Sequence, residues 1–151
     1  MRNETRAEIQ AELAIIAETL SLLSDLLREI GNGAPSPHQM AAVGAYLGNF
    51  YNGIENILKR FLRDADIKQP EGPNWHVELL ALFAGDDAGG LPALLAPPLL
   101  AALQPYRAFR HLFFHGYAVV LNWERLRQNA NNASEVFAHL RSRIETAMCE
   151  Q

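Results

Sequence analysis

Eight consecutive residues, Arg110-His111-Leu112-Phe113-Phe114-His115-Gly116-Tyr117, bring together one guanidinium, two imidazoles and one phenol in a segment of strong helical character. Arginine carries a fixed cation that matches phosphate, and histidine exchanges protons near neutral pH. A phosphate-binding cation beside a proton carrier is what cleavage of an RNA backbone requires when no metal takes part. Tyr117 adds an aromatic with a polar tip, a residue type favoured where one side is packed and the other wet.

Helical geometry sorts these side chains, because successive residues lie about 100° apart. With Arg110 at zero, Phe114 falls at about 40°, Arg107 at about 60°, His111 at about 100° and His115 at about 140°. Phe109, Leu112, Phe113, Gly116, Val119 and Val120 fall on the opposite half. The segment therefore predicts one side packed into a bundle and another carrying Arg107, Arg110, His111 and His115. Charged helix faces are ordinarily just solvated. Three features set this one apart: Phe114 in its middle requires a cover, the surrounding chain is acidic, and Tyr117 stands at its edge. Pairing of two such helices would cover Phe114 and pool the cations.

Other chemistries fit the residues less well. His111 and His115 at i, i+4 could hold zinc from one helix, but the acidic partner of a His-Glu-x-x-His motif is absent nearby. Neighbouring arginines repel a cation, and His38, His76 and His139 lack ligand-like spacing. The expectation is no metal and no cofactor. No phosphate-cradling glycine loop, no serine or cysteine nucleophile motif and no cysteine pair occurs. Glu55 interrupts the apolar row Tyr51, Leu58, Leu62. It is either a buried partner for an arginine, since a buried charge requires pairing, or a solvated residue at the bundle edge. Asn49, Asn52 and Asn56 form a polar ladder, either a cleft wall or plain surface, and Trp75-His76 reads as core and rim.

The elements that must position these groups are all helical. Apolar residues at Ile9, Leu13, Ile16, Leu20, Leu23, Leu27 and Ile30 form a stripe from about Glu4 to Ile30. Ile15, Leu22 and Leu26 widen it into a bundle face, and Gly31-Asn32-Gly33 ends it with glycine at a left-handed cap. Ser36-Pro37-His38-Gln39 is a capping box with proline at the first helical position. The stripe that follows, Met40, Val43, Leu47, Phe50, Ile54, Ile57 and Phe61, fades at Arg63 to Asp66, and Gly44 and Gly48 would permit close helix approach. A short helix is expected from about Trp75 to Ala84, with Asn74 as cap and Gly85 as terminator. Asp86 to Pro98 reads as a loop with room for one turn around Leu91 to Leu95. The motif helix should run from near Pro98 to about Leu121, kinked or restarted at Pro105. A last helix, from about Trp123 or Asn132 to Met148, carries Val136, Leu140, Ile144 and Ala147. With no strand alternation and no internal repeat, the fold class is all-α.

Composition bounds the ligand. The 151 residues amount to one domain, residues 1–151, with 49% hydrophobic and 20% charged residues. A net charge of −4 and a pI near 5.7 argue against a general basic coat, so any anion must meet a local cationic patch. Cys149 is single, the N-terminus has no signal-peptide core, and no apolar run approaches the ~18 residues of a membrane span. A cytoplasmic chain without membrane contact is expected.

At Arg110 to Tyr117 the sequence resembles the HEPN superfamily, marked by an arginine, a polar residue and a histidine after a short spacer. The arginine is Arg110, the polar follower is His111, and His115 comes after four intervening residues. Tyr117 extends the pattern to Arg-x4-His-x-Tyr, the form found in HepT-like ribonuclease toxins. The segment Tyr46 to Leu58, Trp75-His76 and Asn122-Trp123-Glu124 are also similar to the HepT-like pattern, so the resemblance runs from about residue 40 onward. It implies a bundle of about four to five main helices that dimerises through the motif helix. It implies a metal-independent endoribonuclease in which His115 is the general base and Arg110 binds the scissile phosphate, supported by Arg107, His111 and Glu55. It further implies an MNT-type nucleotidyltransferase antitoxin that adenylylates Tyr117, placing negative charge where RNA phosphate must sit. A rival reading keeps the fold as a non-catalytic HEPN binding module that assists a nucleotidyltransferase; a third makes it a structural helical adaptor.

Overall fold

The computed structural model describes residues 1–85, 90–115 and 122–150, with residues 111–115 described by their backbone alone. Five helices make up these residues: α1 (Asn3–Ile30), α2 (Pro37–Asp64), α3 (Trp75–Leu82), α4 (Pro97–His115) and α5 (Trp123–Glu150). No strand occurs among the described residues, and the all-α expectation holds. None of the described helices is long and apolar enough to cross a membrane.

The central element is α2, which packs against all four other helices. Its start is the capping box read from the sequence: Gln39 N donates to Ser36 Oγ at 3.2 Å, and Ser36 N donates to Gln39 Oε1 at 2.8 Å. From Phe50 to Leu58 almost every residue is buried, because neighbours cover the helix on several sides. On α1 the stripe Ile9, Leu13, Ile16, Leu20 and Leu23 is buried as expected. Of the widening row, Leu26 is half-buried against the core, but Ile15 is 58% and Leu22 46% exposed. α1 is covered by α2 and α5 along one narrow stripe, which leaves that flank in solvent.

Three further expectations are corrected. Gly31 caps α1 with φ 60° and donates to the Leu27 carbonyl at 3.0 Å, but its ψ of −138° lies outside the left-handed helical well. Only glycine adopts that combination freely. Residues 91–95 form no helical turn; Leu91, Leu94 and Leu95 enter the core from extended chain, and Leu95 N donates to the Phe83 carbonyl at 2.8 Å. α4 runs unbroken through Pro105, on an exposed position, so the helix does not restart there. Its expected extension toward Leu121 lies outside the described residues beyond His115. For the last helix, the earlier start at Trp123 is the correct one.

Tyr106 seats the motif helix. Its ring meets Phe50 of α2 edge-to-face at 5.2 Å, and its hydroxyl donates to the Asn129 carbonyl of α5 at 2.8 Å. Phe50 also meets Phe137 of α5 at 6.4 Å, so one aromatic cluster joins α2, α4 and α5.

α1 and α2 approach closely at Gly53, where an added Cβ would stand 2.6 Å from Ile16 Cγ1. Alanine gains about 1 kcal/mol of helix propensity over glycine. Overpacking costs about 1–3 kcal/mol, so Gly53→Ala is expected to lower stability on balance. Urea denaturation checks this: the same substitution in an Ile16→Ala background should become stabilising, because the obstructing atoms are gone.

Candidate active site at the junction of α2, α3 and α4

Leu99, Leu103, Tyr106 and Arg110 follow one another at helical steps of four, three and four residues. The first three are buried, so Arg110 is carried toward the same neighbours at the bundle rim, its side chain 22% exposed. On α2, Asn52 and Glu55 stand at i, i+3 and share a face. On α3, His76 is in the first turn. These four side chains converge.

Arg110 Nε donates to Asn52 Oδ1 at 2.6 Å and lies 3.7 Å from Glu55 Oε2. Its Nη1 lies 3.1 Å from His76 Nε2, and His76 Nδ1 lies 2.5 Å from Glu55 Oε1. A guanidinium can only donate, so His76 Nε2 accepts and the ring proton sits on Nδ1, donated to Glu55. The result is a directed chain of hydrogen bonds from Arg110 through a neutral imidazole to a carboxylate. Trp75 packs on the His76 ring with centroids 3.4 Å apart, while Lys59 Nζ lies 4.3 Å from the Trp75 ring centroid. The ring–ring contact and the cation–π contact together stiffen the start of α3.

Glu55 is thereby assigned: it is the buried partner of an arginine, its side chain only 2% exposed. The orientation of Arg110 differs from the sequence reading, which set it on a half turned away from the bundle. The apolar residues used to define that half lie mostly after Arg110; the residues before it show the stripe that it continues. Arg107 is half-buried one turn earlier and donates from Nε to Gln104 Oε1 at 3.0 Å. His111 and His115 belong to α4, with His115 its last residue, but their side chains lie outside the described residues, as does the whole of Tyr117. Among the described residues no group of three or more metal-ligating side chains occurs.

Two residues of the cluster escaped the sequence reading. His76 looked like a rim residue, and its signal was only its place in the first turn of a short helix. Asn52 belonged to the polar ladder; its spacing from Glu55 was the sign that the ladder touches an ionic site. Asn49 and Asn56 are exposed, and of the three only Asn52 is bonded into this cluster.

Behind the cluster lies Tyr51, fully buried. Its hydroxyl sits within electrostatic reach of Glu55 but makes no hydrogen bond of ordinary geometry among the described residues. Burial first, then the Glu55 carboxylate, push its phenol far above the ordinary tyrosine range.

The family model described as HepT-like protein matches residues 42–149. The chain belongs to this family. Asn52, Glu55, His76, Arg107 and Arg110 all fall inside the matched span, whereas the whole of α1 precedes it. Neither the curated proteins nor the solved structures give a match.

Two outcomes follow for this HepT-like core. Arg110→Met should destabilise more than Glu55→Gln, because it strands a buried carboxylate, and a double-mutant cycle in urea should give a coupling of about 1–2 kcal/mol. The raised Tyr51 pKa means that the unfolded chain ionises first, near pH ~10. Stability present below that pH is then lost as pH climbs toward the folded value. Tyr51→Phe should reduce this alkaline loss in pH-dependent thermal melts; an unchanged slope would contradict the assignment.

Proposed function

We propose that this HepT-like chain is a metal-independent endoribonuclease and the toxin of a toxin–antitoxin pair. The observation that carries the reading is the bracing of Arg110 by Asn52, His76 and Glu55. A guanidinium held from two other helices before substrate arrives stabilises developing charge without reorganising. In this reading His115 removes the proton from a ribose 2′-hydroxyl, and the resulting oxygen attacks the adjacent phosphorus. Arg110 holds the phosphate oxygens as charge builds, with Arg107 and His111 adding positive potential. The bond to the 5′-oxygen breaks, that oxygen takes up a proton, and the products are a 2′,3′-cyclic phosphate and a 5′-hydroxyl.

The 151 residues act as one domain in the cytoplasm, and two copies pair through α4 so that their motifs share a cleft. The antitoxin is an MNT-type nucleotidyltransferase that transfers AMP to Tyr117, two residues beyond His115. A phosphodiester placed there sets a negative charge against incoming RNA.

Induction of the wild type should arrest growth, and Arg110→Ala or His115→Ala should relieve the arrest. Purified wild type should cleave RNA in EDTA and both variants should lose at least about 100-fold, the ordinary contribution of a positioned acid–base group or transition-state cation. Equal growth for all three with no cleavage supports the non-catalytic binding module instead; cleavage abolished by EDTA would assign a metal. Co-expression with the antitoxin should add AMP mass that Tyr117→Phe removes.

A further inference from the structure

Beside the braced guanidinium lies a cavity of about 210 Å³, lined by Pro73, Asn74, His76, Val77, Arg107 and Arg110. Its walls come from two elements distant in sequence, the entry to α3 and the middle of α4. Arg107 and Arg110 stand one helical turn apart, so two guanidiniums face the same space. Glu55, the carboxylate bonded into the cluster, is 2% exposed and does not line the cavity. Arg107 forms no ion pair among the described residues; its Nε bond is to the neutral Gln104. Two fixed cations thus oppose one carboxylate sealed behind them, in a chain whose net charge is −4. Lys59, over Trp75, adds a third cation to the same end of the molecule.

The remaining lining is suited to a nucleotide. Asn74 stands at the N-cap of α3, yet its side chain makes no capping bond, so its amide is not committed to the helix. Val77 is 48% exposed at the cavity wall and offers an apolar surface beside the cations, where the sugar or base attached to a phosphate would lie.

We propose that this cavity is a phosphate subsite for a nucleotide chain, adjacent to the scissile position, with Arg107 and Arg110 as its cationic walls. His76 is the positioning residue. Backed by Glu55, it fixes the plane of the Arg110 guanidinium at the cavity edge, so that this arginine is shared between the subsite and the scissile phosphate. The inference rests on the ribonuclease reading for the identity of the chain as RNA, but binding here needs no cleavage.

The test uses the full chain and a fluorescent 2′-O-methyl oligoribonucleotide, whose blocked 2′-oxygen cannot attack, read by anisotropy over a salt series. Arg107→Gln should weaken binding about tenfold and reduce the salt slope by about 0.7, as loss of one phosphate contact to a single strand requires. His76→Ala should weaken binding and broaden or shift the Arg110 Nε–Hε resonance, while His76→Gln, able to accept from Arg110, should restore part of both. Arg143→Gln, remote from the cavity, should change neither, and melting curves confirm that each variant is folded. Unchanged affinity and slope in Arg107→Gln overturn the subsite. Binding of inorganic phosphate by titration calorimetry, lost in Arg107→Gln, with no oligonucleotide binding overturns the nucleotide-chain assignment in favour of a small anion. Failure of the ribonuclease reading looks different: binding with this variant dependence, but no cleavage of unmodified RNA.

Discussion

A carboxylate that is 2% exposed on the central helix dictates much of the arrangement around it. Glu55 interrupts an otherwise apolar row, and its removal from water is tolerable only with donors at hydrogen-bonding distance. Those donors come from elsewhere in the sequence: the imidazole of His76 on α3 and the guanidinium of Arg110 on α4. The ionic cluster therefore also acts as a docking point. A helix of eight residues is too short to persist alone, and α3 is held by His76 on its polar side and by Leu79, Leu80 and the following Phe83 on its apolar side.

The same contacts that satisfy Glu55 also restrict Arg110. Arginine side chains lose much rotamer freedom when they grip a ligand, and here part of that loss occurs on folding. Asn52 and His76 set the guanidinium orientation, and Tyr106, wedged between Phe50 and the Asn129 carbonyl, sets the depth of the helix that carries it. Glu55 lowers the net positive charge of the site, but from behind the guanidinium. Arg107 supplies charge on the open side, so the cavity keeps a cationic lining within an acidic chain.

Local signals were legible wherever one side chain and its near neighbours decide the outcome. The Ser36 capping box that starts α2 and the helical periodicity of the α1 stripe each follow from residues a few positions apart. Signals failed where coverage by a distant element decides. Ile15 and Leu22 read as part of a second buried row, yet among the described residues no helix covers them. Asp86 to Pro98 read as a loop with room for one turn around Leu91 to Leu95, yet Leu91, Leu94 and Leu95 enter the core from extended chain, with Leu95 bonded to Phe83.

By itself the sequence determined the all-helical class, most helix boundaries and the concentration of Arg107, Arg110, His111, His115 and Tyr117 within one short segment, since periodicity, caps and spacing are local properties of the chain. It left Glu55 balanced between burial and solvent, and gave His76 no role. Only the tertiary structure decided that Glu55 is buried, that His76 joins it to Arg110, and that Arg110 turns toward α2 and α3 while lining a cavity with Arg107. The physical reason is that pairing a buried charge on one helix requires donors converging from two others. The separations of 21 positions from Glu55 to His76, and of 34 from His76 to Arg110, carry no periodic signal of that convergence.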